Sequence, residues 1–363
     1  MRFISKGAED WKDKKVLLRA SLNVPLDNSG KISSLFRIKR ALPTIKTLAK
    51  NSKSLIIIAH IGKGEKDSLY PVFLELKKHI KNLQFVTKDG YFKEKSEGVF
   101  LMENLRAFEG ETKNDPDFAK RLASLADIFV QDAFAVLHRE HASVVGLPKF
   151  LPSFAGFSVK RELKALKKAL KPKSKSAFVL GGAKLSTKEP LLKKMLGIYD
   201  KVLLGGALAN EALAARGFEV GLSKIEDGQI DPEVLNHPHL FLPEKYTVVS
   251  DSSMRKSDGT DIRKDEKILD AFAPMGFLHG VDFLLWNGPL GYYEAGFVQG
   301  SASLISQIEI FKPEAYLGGG DSNAIVEELH KEDIFAFRSS GGGSTLYFLE
   351  NETLPGLEAI SNP

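Results

Sequence analysis

Along nearly its whole length the chain alternates short apolar, β-branched runs with longer stretches whose apolar residues recur at helical spacing. In the first half the strand-like runs are residues 15–21, 55–60, 98–104 and 127–134. In the second they are 176–180, 201–205, 246–251, 282–286, 314–317 and 334–337. Helical stretches at 36–49, 71–80, 115–125, 188–196 and 301–310 lie between them. Strand, helix, strand in this rhythm predicts parallel strands joined by crossover helices, with both sheet faces covered. The fold class expected is α/β, two domains, each a mainly parallel sheet with helices on both faces, joined by a hinge helix. At ~150 residues per domain, 363 residues suit two.

The hinge candidate is the helix at 163–170, closed by Pro172 and the stretch KSKS at 173–176; before it lies FLPSFAGF at 150–157, rich in turn formers. The boundaries predicted are 1–155 for an N-terminal domain, 156–175 for the hinge helix and linker, 176–345 for a C-terminal domain and 346–363 for a final segment. No fixed-period repeat interrupts this plan.

Composition narrows the class. The chain has no cysteine, which excludes a disulfide framework, a thiolate metal site and a cysteine nucleophile. Its longest apolar runs, such as 55–59, fall far short of the ~18–20 residues of a membrane span. Charges crowd the first twenty residues, so no secretory leader is read there, and the expected location is the cytoplasm. The formal charge of +5 suits an anionic ligand and is too small for a nucleic-acid coat. The basic run at 160–175 interleaves its lysines with Leu163, Leu166 and Leu170, one apolar stripe with a solvated basic face.

In open α/β sheets ligands bind beyond the carboxyl ends of the strands. After the first-half strands come Asn23, then His60 and Lys63, then Asn104 and Arg106, then Asp132, Phe134, His138, Arg139 and His141, while Arg37 opens the first long helix. These residues predict a cationic cup for a small, multiply charged anion. A metal site built from the histidines fits no ligand spacing.

After the second-half strands the chemistry turns to glycine: GGAK at 181–184, GGA at 205–207, NGP at 287–289, GGGD at 318–321 and GGG at 341–343. Glycine after a strand lets backbone approach phosphate, and a helix N-terminus favours negative charge. Lys184, Lys188 and Asp321 stand beside these turns. Asp321 is the natural carboxylate for a phosphate-bound Mg²⁺, with a plain helix cap as the alternative. A polyanion acceptor in one half and a nucleotide in the other point to phosphoryl transfer. The chain has neither a P-loop nor a protein-kinase signature, and no GxGxxG opens a first βαβ unit.

The runs VLLRASLNVPLD (16–27), AHIGKG (59–64), LMENLRAFEGE (101–111), VLGGAKLSTK (179–188), LLWNGPLGYYE (284–294), LGGGDSNA (317–324) and SSGGGSTLYFLE (339–350) resemble phosphoglycerate kinases, in order and over nearly the whole chain. The resemblance implies two Rossmann-like domains: the N-terminal one binds phosphoglycerate, the C-terminal one binds nucleotide, and the final segment returns to the first. It implies a cytoplasmic monomer that transfers a phosphoryl group between ATP–Mg²⁺ and the carboxylate of 3-phosphoglycerate, with no nucleic-acid or membrane partner. Carried over by residue, it implies that Ser21, Asn23, Arg37, His60, Lys63, Arg106 and Arg139 hold the phosphoglycerate. Arg37, Lys184 and the helix N-termini at Gly320 and Gly343 would act on the transferring group. Lys188, Gly206, Asn287, Glu294, Gly319, Gly320, Asp321 and Ser322 would bind the nucleotide, Asp321 through Mg²⁺.

Several positions depart from that pattern. Ser21 stands where the family has an aspartate, Lys63 where it has an arginine, and Thr187 where it has an aspartate. The last two remove a pair expected to bridge the closed cleft, so Lys63→Arg with Thr187→Asp is expected to raise turnover. The DIGP run of the family is placed at Asp261-Ile262-Arg263-Lys264, and the third glycine of its GGG turn is Ala207, which opens the question of base preference. Leu137 is expected to narrow the cup. Two alternatives stay open at this point: a divergent kinase for another phosphorylated acid or another nucleotide, and a catalytically silent nucleotide-binding paralogue.

Overall fold

The computed structural model describes residues 1–5, 11–62, 64, 66–173, 175–226 and 230–361. They form two compact units, Met1–Lys164 with Asn351–Pro363, and Ala165–Glu350.

The first unit runs β1 (Lys15–Ala20), α1 (Phe36–Asn51), β2 (Ser54–Ile58), α2 (Tyr70–Lys77), β3 (Leu83–Val86), β4 (Gly98–Met102), α3 (Glu109–Thr112), α4 (Pro116–Ala123), β5 (Ile128–Asp132) and β6 (Ser153–Ala155), then enters α5 (Phe157–Ala169). Its six strands pair in the order β3-β4-β2-β1-β5-β6, every pair parallel. A central strand buried on both faces explains the unbroken apolar run Val16-Leu17-Leu18, all fully buried. Ile4, Trp11, Leu18, Ile57, Val130 and Phe154 share one core cluster there.

The second unit runs β7 (Ser176–Leu180), α6 (Glu189–Leu196), β8 (Lys201–Leu204), α7 (Ala207–Ala215), α8 (Pro232–Leu235), β9 (Leu240–Phe241), β10 (Lys245–Val249), β11 (Met254–Ser257), β12 (Lys267–Phe272), β13 (Phe283–Asn287), α9 (Gln299–Phe311), β14 (Glu314–Gly318), α10 (Gly320–Glu328), β15 (Phe337–Arg338) and α11 (Gly343–Asn351). Its main sheet is also parallel, in the order β15-β14-β13-β7-β8-β9. The chain closes with α12 (Pro355–Ser361), which belongs to the first unit: the Gly356 amide donates to the Leu137 carbonyl at 2.9 Å.

The mixed α/β plan with two parallel sheets holds, with local differences. The run at 246–251 is not a member of the parallel sheet. As β10 it centres a separate antiparallel sheet, β11-β10-β12, with its own small core of Tyr246, Val248 and Ile268. The cause is a tight turn in which Ser250 N donates to Ser253 O at 2.8 Å, too short for any crossover. At 334–337 most of the run is a turn, and only Phe337–Arg338 pairs. Strand β6 lies inside the stretch read as turn-rich. No helix among the described residues is long and apolar enough to cross a membrane.

Candidate functional site

Beyond the carboxyl ends of β1, β2, β4 and β5, the first unit gathers arginines around one histidine. His60 is buried, and its Nδ1 accepts from the Arg19 guanidinium at 2.8 Å, which leaves the proton on Nε2. Burial, and then the charges of Arg19, Arg106, Arg139 and Arg37, hold its basicity well below the ordinary histidine value. The imidazole is therefore a neutral donor. Arg37 donates to the Asn23 carbonyl and Arg106 to the Gly62 carbonyl; the Asn23 Oδ1 accepts from Gly62 N at 2.9 Å. Ser21 and Arg139 are half-buried at the same strand ends. Lys63 lies outside the described residues.

Arg19 was not among the predicted site residues. It is fully buried on β1, with Nε donating to Ser143 Oγ at 3.0 Å, and burial lowers its pKa to about 10 against the opposing pull of Glu111. A lone arginine within the apolar run VLLRA was the available signal, because a charge there must be paired or aimed at a ligand. Glu111 is buried too. Burial pushes it up, but His141, Arg19 and Ser143 outweigh that, and its pKa ends below the ordinary value. Glu162 is the carboxylate that acts on Arg37. Four guanidiniums against two buried glutamates leave an excess of positive charge, the electrostatics of an anion site.

Three residues read as part of the cup do other work. Asn104 spends its amide on the loop before it: Nδ2 donates to the carbonyls of Ile61, Gly64 and Asp67, and Oδ1 accepts from Ile61 N and Arg106 N. Asp132 turns to the first turn of α5, accepting from Ser158 N at 2.8 Å and Val159 N at 3.2 Å. Leu137 is fully buried, and a Cβ on Gly356 would fall 2.7 Å from it, so it meets α12 and not the cup.

In the second unit the glycine turns press against one another. A Cβ at Gly181 would lie 2.0 Å from the Pro289 carbonyl oxygen, and one at Gly288 (φ +92°) would lie 2.4 Å from that of Gly181. Gly206 (φ +60°) and Gly319 (φ +93°) occupy conformations open to glycine. A Cβ at Gly342 would be 3.5 Å from Gly319 Cα, so the starts of α10, at Gly320, and α11, at Gly343, come together. Asn287 and Ser322 are buried beneath the turns, with Asn287 Nδ2 directly over Gly318.

Beside these turns lies a cavity of about 560 Å³. Gly182, Ala183, Gly206, Ala207, Glu294 and Asp321 line one part, and Asn210, Leu222, Lys224 and residues 267–271 another. Burial, followed by the neighbouring Glu294 charge, raises the Asp321 carboxyl above its ordinary value. A carboxylate beside glycine turns, with a second carboxylate near it, suits a divalent cation shared with phosphate oxygens. No group of three or more potential ligands for a lone ion exists among the described residues. Lys184 has a left-handed backbone (φ +68°), and its Nζ lies 3.4 Å from Glu226 Oε1. Lys188 is half-buried and donates to the Ala183 carbonyl, and burial lowers its ammonium despite Glu211 and Glu226. Thr187 donates to the Lys184 carbonyl at 2.8 Å, within its own turn.

The run at Asp261, Ile262, Arg263 and Lys264 does not line the cavity. Asp261 is paired with Arg255 of β11 at 2.6 Å, and Arg263 N is bonded to Glu266 within the β11–β12 connection. The strand edge that does line it is 267–271, and Ala207 lines it as well.

Glycine turns with two lysines in one unit and a guanidinium cluster in the other are the parts of an α/β phosphotransferase. The family model described as phosphoglycerate kinase matches residues 7–352. The chain is 36% identical to the phosphoglycerate kinase of Dictyoglomus turgidum, covering 98% of this chain and 97% of that protein. It is 37% identical to that of Staphylococcus haemolyticus, covering 97% and 98%. The solved phosphoglycerate kinase of Coxiella burnetii superposes with a TM-score of 0.80 at 31% identity, covering 99% of each chain. That of Pyrococcus horikoshii OT3 superposes with a TM-score of 0.84 at 27% identity, covering 99% of this chain and 98% of that one. The chain belongs to the phosphoglycerate kinase family.

Proposed function

We propose that this protein transfers a phosphoryl group reversibly between ATP–Mg²⁺ and the carboxylate of 3-phosphoglycerate, as a cytoplasmic monomer. The observation that carries the reading is the surplus of guanidinium charge around a neutral His60, since 3-phosphoglycerate is a small polyanion with two ends to hold. In this reading Asn23, Arg37, His60, Arg106 and Arg139 bind it, with Ser21 and Lys63 beside them. Lys188, Gly206, Glu294 and the turn Gly319-Gly320-Asp321 take the nucleotide. Asn287 and Ser322 shape the turns from below.

The acceptor carboxylate is already ionised, so its oxygen attacks the γ-phosphorus without a general base. The bond to the ADP oxygen breaks as the new one forms. Charge on the transferring group is met by Arg37, Lys184 and the amides at Gly320 and Gly343. Mg²⁺, when bound, would neutralise nucleotide phosphate charge, and in this reading Asp321 would hold it.

The test is ATP-dependent phosphorylation of 3-phosphoglycerate with Mg²⁺, coupled to removal of the acyl phosphate, with GTP in parallel. Turnover of about 1–100 per second or more with ATP is expected. Turnover with GTP alone moves the base preference, and bound nucleotide without turnover overturns the reading.

A further inference from the structure

The Asp132 carboxyl sits at the end of β5, almost fully buried, with Gly156 so close that a Cβ there would fall 2.3 Å from Oδ1. Its hydrogen bonds come from Ser158 N, Val159 N and Ser158 Oγ on α5 and from the Thr44 side chain on α1. Thr44 Oγ1 in turn accepts from Phe157 N at 3.2 Å. Ser158 Oγ lies 2.9 Å from Asp132 Oδ2 and also 2.9 Å from the Arg40 carbonyl oxygen. A serine hydroxyl has one proton, and here two oxygens compete for it. With an ionised Asp132 one of these contacts has no hydrogen. With a neutral Asp132 both are filled: Oδ2–H donates to Ser158 Oγ, and the Ser158 hydroxyl donates to Arg40 O.

Arg37, Arg40 and Thr44 recur three and four residues apart, so they share one face of α1. Two of the three are anchors of this seam, and the third is the arginine that the proposed function assigns to the substrate.

We propose that Asp132 is a positioning residue: held as a neutral acid, it completes an unbroken hydrogen-bond chain from α5 to α1 and thereby fixes the helix that carries Arg37. The positioning role rests on the reading of Arg37 given above. Burial favours the neutral form and raises the carboxyl to about 7, over the opposing pull of the Thr44 and Ser158 bonds. The ionisable side chains on the elements packed around it that are not exposed are Arg37 and Arg40 on α1, Glu162 on α5, and Arg19 and Lys15 on β1, Lys15 at the far end of its strand and paired with Glu94. None of them is among the donors to the carboxyl.

The experiment combines infrared difference spectra of wild type against Asp132→Asn, at pH 6 and pH 8.5, with the Kd of 3-phosphoglycerate for both proteins. The asparagine amide mimics the neutral acid's donor, and taking the ratio of Kd values cancels the titration of the ligand's own phosphate. A carboxylic-acid carbonyl band is expected in wild type at pH 6, lost at pH 8.5 and absent from Asp132→Asn. The affinity of wild type relative to the variant is expected to fall about three- to tenfold as the pH rises through this range, the worth of one hydrogen bond. Ser158→Ala, which removes the relay oxygen, is expected to keep the band and lose the pH dependence of binding. A carboxylate at pH 6, or a ratio flat across the range, overturns the proposal while leaving substrate binding intact. Failure of 3-phosphoglycerate to bind wild type at either pH overturns the function itself, and the positioning role with it.

Discussion

Lys184 combines a left-handed backbone with an amine drawn towards Glu226, so its two properties can be tested apart. Lys184→Ala is expected to lower kcat about a hundredfold or more while changing the KM for ATP far less, because its charge counts most in the transition state. Lys184→Gly relaxes the backbone at φ +68° and is expected to be more stable than the alanine variant yet no more active, which steady-state kinetics beside urea unfolding will show. The histidines make a second residue-scale prediction. Burial and then Arg139 lower His138 to about 4, and His60 is lowered in the same direction for the reasons given. The unfolded chain binds protons below about 6.5 that these side chains refuse when folded, so stability is lost as pH falls from about 6.5 towards 4. Asp132 acts oppositely: the folded form keeps a proton between about 4 and about 7, so its contribution is lost as pH rises through that window. Melting temperatures of His138→Gln and Asp132→Asn across pH 4–8 will separate the two slopes. At this scale the sequence was legible wherever charge followed an apolar run, as at His60 and Arg106. It misled where a polar side chain closes a local loop or cap, as Asn104 and Asp132 do, because pattern does not say which backbone groups lie within reach.

Among the elements, the parallel strands were legible because burial on both faces demands an unbroken apolar run, as in VLLRA or SLIII. Strands of two to four residues at sheet edges, β6 and β9 among them, carry too few residues for any period. The antiparallel β10–β12 sheet, whose members look like any other strand, is distinguished only by the tight turn between its first two. The strand lining the cavity is β12, whereas the resemblance had pointed to the connection before it. The glycine turns separate further. Gly288 is required by shape, having positive φ and a carbonyl oxygen 2.4 Å from where a Cβ would be, whereas a Cβ at Gly320 meets nothing within 4 Å. Gly288→Ala is expected to cost about 2–4 kcal/mol in urea unfolding and Gly320→Ala less than about 1 kcal/mol. Equal losses would show that the turns yield together.

For the whole molecule, each unit has its own core clusters, so each ligand should protect its own unit. In hydrogen exchange, ATP–Mg²⁺ alone is expected to slow amides at 181–188 and 318–323, and 3-phosphoglycerate alone those at 21–24 and 60–62. Crossed protection by either ligand alone would contradict that division. The placement of Gly356 against Leu137 has a consequence for how the protein is made. A ribosome adding about 5–20 residues per second finishes the strands of the first sheet roughly ten to forty seconds before it reaches Asn351. Throughout that interval Leu137 and Val144 lack the helix that covers them in the finished fold. The second unit has no such wait, because its residues form one continuous stretch. It is complete at Glu350, only about one to two seconds before α12 is made, so the unit begun first is the one closed last.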